Sequence, residues 1–161
     1  MLRRAALRSL VCVVAFASIG LRFSSAAEAP LARYDRVEVA PSKTSIYVGT
    51  VSLTVPPFTR RNAVYETTYV AKVFPYFFYN ESGRLSIDFT DDMLRRLERG
   101  EPVEFTGRAV RTDGAGRRVE GKATPADATS GKIKVRVFYS KKIELIFNTT
   151  YRFSSPAPTA P

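Results

Sequence analysis

From residue 44 onward most of the chain is patterned with a period of two. Tyr47, Gly49, Val51, Leu53 and Val55 alternate with Val48, Thr50, Ser52 and Thr54, which predicts a half-buried strand over 44–55. Pro56-Pro57 stops it, and 58–62 reads as a loop carrying Arg60 and Arg61. A strand over 63–74 sets Tyr65, Thr67, Tyr69, Ala71 and Val73 on one face, with Glu66, Thr68 and Lys72 opposite. There the alternation fails. Phe74, Tyr76 and Phe78 carry apolar character onto the formerly polar side, and Pro75, with no N–H for a ladder, marks an edge or a bulge. Asn80-Glu81-Ser82-Gly83 reads as a turn, and Leu85, Ile87 and Phe89 as the next strand.

Period two gives way to a helical pattern once, over 90–99. Thr90 suits the N-cap, and Asp91 and Asp92 fall in the first turn, where the helix dipole favours anions. Phe89 and Leu94 are placed for a hydrophobic staple, Asp91–Arg95 and Asp92–Arg96 for i, i+4 pairs, and Gly100 for the position past the C-cap. The narrow apolar stripe of Met93, Leu94 and Leu97 predicts a helix lying on a sheet. Four strands follow, at 103–111, 117–124, 132–139 and 142–153, the last two joined by a tight hairpin at Ser140-Lys141. A short edge strand is expected at 36–40 within an otherwise weakly patterned lead-in, 27–43. The pattern therefore predicts an all-β fold of seven or eight mostly antiparallel strands, a sandwich or small barrel, with one short amphipathic helix. It occupies 44–153 as one unit, and 154–161 is a Pro-rich tail.

Composition adds a compartment. Residues 1–26 run from a basic head (Arg3, Arg4, Arg8) through an uncharged apolar block to Ser24-Ser25-Ala26, which describes a secretory signal peptide cleaved near Ala26 or Ala27. The block is too short for a membrane span, which needs about 20 residues. The arginines and lack of acids leave a mitochondrial transit peptide as the alternative. The sole cysteine, Cys12, lies inside this segment, so the mature chain has no disulfide and suits a bacterial periplasm or outer surface. Removing the four arginines of 1–26 leaves 21 basic against 15 acidic residues, and the excess belongs to 103–161, with eleven basic and five acidic.

With no histidine, no tryptophan and no cysteine after Cys12, the chain lacks the residues for Ser-His-Asp or Cys-His nucleophilic sites, the usual zinc sets and haem ligation by His or Cys. No catalytic residue, metal or cofactor is expected, and enzymatic use of Asp, Lys or Tyr ranks last. Asp88, Asp91 and Asp92 are the best carboxylate group, although capping and pairing account for two of them. Two surfaces are candidates for binding. One is the aromatic run Phe74, Tyr76, Phe77, Phe78 and Tyr79, which either closes the core or docks a ligand or partner. The other is a basic face of Arg117, Arg118, Lys132, Lys134, Arg136, Lys141 and Lys142, which is either a solvated outer wall or a seat for an anionic glycan or lipid surface. The expected function is an exported, non-catalytic binding or structural module of the cell envelope whose partner is another envelope protein or such an anionic surface, not nucleic acid. The alternative is a small barrel holding an apolar ligand among Tyr65, Tyr69, Phe77 and Tyr79. No transmembrane span is expected after cleavage.

Overall fold

Alternating apolar residues on successive antiparallel hairpins roll the chain into a closed barrel. The computed structural model describes residues 31–140 and 143–154. In chain order the strands are β1 (Arg36–Val39), β2 (Ser42–Ile46), β3 (Gly49–Thr54), β4 (Phe58–Arg61), β5 (Val64–Phe74) and β6 (Glu81–Asp88). The helix α1 (Asp91–Glu98) follows, and then β7 (Val103–Arg111), β8 (Gly116–Pro125), β9 (Ser130–Phe138) and β10 (Glu144–Ser154). The sheet order is β2-β3-β5-β4-β1-β10-β9-β8-β7-β6, and β6 returns to pair with β5. Eight strands thus close a ring from β5 through β4, β1, β10, β9, β8, β7 and β6, while β2 and β3 form an added hairpin.

The added hairpin exists because β5 is long. Its 11 residues serve two neighbours on one side, β4 over 64–66 and β3 over 70–74. One residue in two faces the lumen, which is filled by Val37, Phe58, Tyr65, Tyr69, Ile87, Val103, Phe105, Val119, Phe147, Tyr151 and Phe153, all buried. Gly121 sits under the Phe105 ring, where a Cβ would come 2.1 Å from the ring carbon Cζ. One end is closed by α1, whose Leu94 and Leu97 are buried, and by a 3-10 turn at Leu31–Tyr34. The Tyr34 hydroxyl donates to Glu98 at 2.7 Å, and Arg33 pairs with the same carboxylate. As the composition of the helix start requires, the Thr90 hydroxyl accepts from Met93 N (3.3 Å). Asp91, however, pairs with Arg60 of β4, and Arg96 with Glu101 at 3.2 Å.

Four details differ from the pattern-based expectation. The single strand over 44–55 is the β2–β3 hairpin, turned at Tyr47-Val48. The expected loop at 58–62 contains β4, joined to β5 through Asn62 and Ala63, both at positive φ (47° and 63°). Both central residues of a type I′ hairpin turn need that conformation. Glu81, Ser82 and Gly83 open β6 instead of forming a turn, since the reversal comes earlier, at 75–79. The short strand at 36–40 is β1, held on both sides by β4 and β10, not an edge.

Candidate functional site

The end of the barrel opposite α1 carries the aromatic run. β5 ends at Phe74, the Phe74-Pro75 peptide is cis, and Phe77–Tyr79 form a single 3-10 turn. The turn is fixed by its own backbone: Tyr79 N donates to Tyr76 O at 3.0 Å and Asn80 N to Phe77 O at 3.1 Å. The Asn80 side-chain oxygen then accepts from Val73 N at 2.7 Å, tying the turn to β5. Among the rings, Phe74–Phe77 and Tyr76–Phe78 make edge contacts at 5.9 and 5.8 Å, and Phe78–Tyr79 lie 4.5 Å apart. Tyr76 alone leans on the core. Phe74, Phe77, Phe78 and Tyr79 are 57–76% exposed, so core closure, the bland alternative for this run, does not hold.

The β2–β3 turn lies beside them. Thr50 pairs with Phe74, and Gly49 approaches so closely that a Cβ would sit 2.1 Å from the Phe74 carbonyl oxygen. Tyr47 and Val48, both exposed, therefore extend the apolar surface at this end.

Beneath the turn, inward-facing positions bring charges together. Glu81 stands opposite Ala71, and Arg117 opposite Ala109, so both point toward the lumen. The Arg117 Nη2 reaches Glu81 Oε2 at 3.0 Å and its Nη1 donates to the Tyr139 carbonyl at 2.9 Å, with the guanidinium 3.8 Å from the Tyr139 ring centre. Arg111 approaches the same carboxylate at 3.5 Å and the Tyr69 hydroxyl donates to it at 3.2 Å. Burial first, and the Glu81 charge second, push the Tyr69 phenol up to about 12. Only 10% and 12% of the Arg117 and Glu81 side chains are exposed, so this is a buried ion pair closing the barrel mouth.

That geometry removes Arg117 from the expected basic face. Arg118 and Arg136 do lie on the outer wall, but each is matched: Arg118 pairs with Glu120 at 3.0 Å, and Arg136 is held by Glu144 through two contacts. Lys132 and Lys134 are exposed on the same wall, and Lys141 and Lys142 lie outside the described residues. Of the residues expected to line an apolar site, Tyr65 and Tyr69 are buried, whereas Phe77 and Tyr79 stand outside the barrel. The lumen contains a cavity of about 90 Å³ with an apolar lining that includes Tyr65, Ile87, Phe89, Leu97, Phe105 and Phe153. Among the described residues no cluster of three His, Cys, Asp or Glu side chains is placed to hold a metal ion, and no helix is long and apolar enough to cross a membrane.

Sequence reasoning missed the Glu81 cluster because it read Glu81 as a turn residue. The available signal was Tyr69, a polar-tipped ring on an inward position that needs a partner. No family model, curated protein or solved structure matches the chain.

Proposed function

We propose that the chain is an exported, non-catalytic binding module that docks another envelope protein through its aromatic end. The observation that carries this reading is the exposure of Phe74, Phe77, Phe78 and Tyr79 on a turn pinned by its own hydrogen bonds. Exposed aromatics of this density are unfavourable in water and serve as anchors when a partner covers them. The turn beneath them is held by its own backbone bonds and by the Asn80 side chain, so docking has little backbone left to order. Polar residues follow the rings in the chain, Asn80 at once and Ser82 two residues on, where the Ser82 carbonyl accepts from the Thr112 hydroxyl. An aromatic centre with a polar rim is the composition of a protein–protein interface. Export rests on the three-part pattern of residues 1–26.

The test uses a Phe77→Ser/Phe78→Ser variant in the producing cell, with chemical crosslinking and native gel analysis of the envelope fraction. The wild type is expected in a discrete larger complex with its N-terminus at Ala27 or Glu28, and the variant as a free chain of unchanged melting temperature. An unprocessed chain in the cytoplasm, or a variant that enters the complex as the wild type does, would overturn the reading.

A second reading, a barrel carrying an apolar ligand, is favoured by the apolar cavity. At about 90 Å³ it falls well short of the about 300–1,000 Å³ usual for ligand pockets, which restricts any cargo to a small apolar molecule. Native mass spectrometry distinguishes the two by whether a small molecule co-purifies.

A further inference from the structure

On the outer wall of β8, β9 and β10, away from the aromatic end, lies a groove of about 420 Å³ lined by Lys122, Lys132, Lys134, Thr124, Asn148 and Thr150. The volume falls within the range of small-ligand sites. Among the described residues no carboxylate lines it.

The ladder explains how the cations collect there. Lys122 is directly opposite Lys134 across β8 and β9, and Lys132 lies two residues away on the same face as Lys134. Thr124 stands opposite Lys132, and on the other side β10 sets Asn148 opposite Lys134 and Thr150 opposite Lys132. Like charges directly across a ladder destabilise a sheet. Two other cations on this wall are paired, Arg118 with Glu120 and Arg136 with Glu144. Glu104 stands opposite Lys122 across β7 and β8 and lines, with Glu120, a neighbouring depression that Lys122 and Lys134 also border, and Glu144, although influenced by Lys134, is held by Arg136. None of the three lysines has a carboxylate within 4.0 Å among the described residues. The like-charge pair Lys122–Lys134 is thus left without a direct ion pair in the folded chain, the kind of local cost that accompanies a binding site.

We infer that this groove is a binding site for an acidic oligosaccharide. The three ammonium groups supply the attraction for sulfate or carboxylate substituents. As compact, strongly hydrated charges on flexible stems they suit substituents arriving at several angles, where arginine would impose one bidentate geometry. Asn148, Thr124 and Thr150 add neutral donors and acceptors along the same groove, the complement of sugar hydroxyls. The site lies on a different wall from the aromatic turn, and its test is independent of the docking reading.

The experiment is calorimetric titration of the purified protein with a short heparin oligosaccharide, with neutral dextran and phosphatidylglycerol vesicles as the other arms. The wild type is expected to bind the oligosaccharide with an affinity that falls as salt is raised, and to ignore dextran. A Lys122→Gln/Lys132→Gln/Lys134→Gln variant is expected to lose about tenfold or more, the scale of three exposed charge contacts. The matching lysine-to-arginine triple retains binding, which also shows that the wall folds. A Lys43→Gln/Lys72→Gln/Arg84→Gln variant removes the same charge from exposed positions elsewhere and should stay within about twofold. Equal losses in the two glutamine triples would reduce the effect to net charge and overturn the site. So would a wild type that binds no oligosaccharide, or vesicles bound through the same lysines in its place.

Discussion

Replacing Glu81 tests whether the barrel mouth is held by charge. In Glu81→Met the carboxylate that faces Arg117, Arg111 and the Tyr69 hydroxyl is lost. Removing one partner of a buried ion pair typically costs about 3–5 kcal/mol, since the other charge is left desolvated. Two observations place this site at the low end. Arg117 keeps the Tyr139 carbonyl and ring, and Arg111 is a third exposed and keeps Asp113 at 3.2 Å. The expected loss is therefore about 3 kcal/mol. For a urea dependence of about 1.5 kcal/mol per molar, the unfolding midpoint drops by about 2 M, read by far-ultraviolet circular dichroism. The companion variant Glu81→Met/Arg117→Met removes both charges, and apolar replacement of a buried pair is often neutral. The double variant should thus be more stable than Glu81→Met alone, with a coupling of about 2 kcal/mol in the cycle. A loss under about 1 kcal/mol for Glu81→Met, or additive singles, would refute the argument that the pair is desolvated.

Two further outcomes follow from the turns and the lumen. Asp127 accepts from Thr129 N and Ser130 N, both at 2.7 Å, and from both hydroxyls, and the Ser130 side-chain bond first among these lowers its carboxyl to about 2. Because the ionised form is favoured in the folded state, its contribution is full above about pH 4 and is lost as pH falls toward 2. Asp127→Asn should flatten that acid limb in thermal melts between those pH values. Gly121→Ala places a methyl against the Phe105 ring, and such overpacking costs about 1–3 kcal/mol. Its melting temperature should fall by several degrees, and an unchanged value would mean that the ring moves freely.

Much of the fold was legible because from β5 onward the inward and outward positions keep strict parity. β7 falls on the predicted residues, 103–111, and α1 starts where Thr90 and the two aspartates require. The β2–β3 reversal was hidden for a physical reason. Its turn residues, Tyr47 and Val48, are not turn formers, and inside positions switch from the even-numbered Ser42 and Thr44 to the odd-numbered Val51 and Leu53. Ser42 and Thr44 are polar, and Ile46, the apolar inward residue of β2, stands directly before Tyr47 and Val48, so the switch fell inside an apolar run. β4 was hidden by its brevity and two arginines, with only Phe58 buried. The aromatic run was identified as the place to look, but its side of the barrel wall depended on the 3-10 turn at 77–79, which periodicity does not encode. The lysine groove needed the register between β8, β9 and β10, which joins residues far apart in sequence.

The seam between β1 and β10 has a consequence for how the chain assembles. It pairs Arg36 with Ser154 and Val39 with Tyr151, the first described strand with the last. The neighbours from β5 through β10 are successive in sequence and need only local loop closure, whereas this ladder must gather nearly the whole chain before it gains a contact. During synthesis from the N-terminus, β1 precedes the other described strands, yet its β10 partner is made after all of them. The ring is therefore expected to close in one late, slow step, with an edge of β1 left open until then.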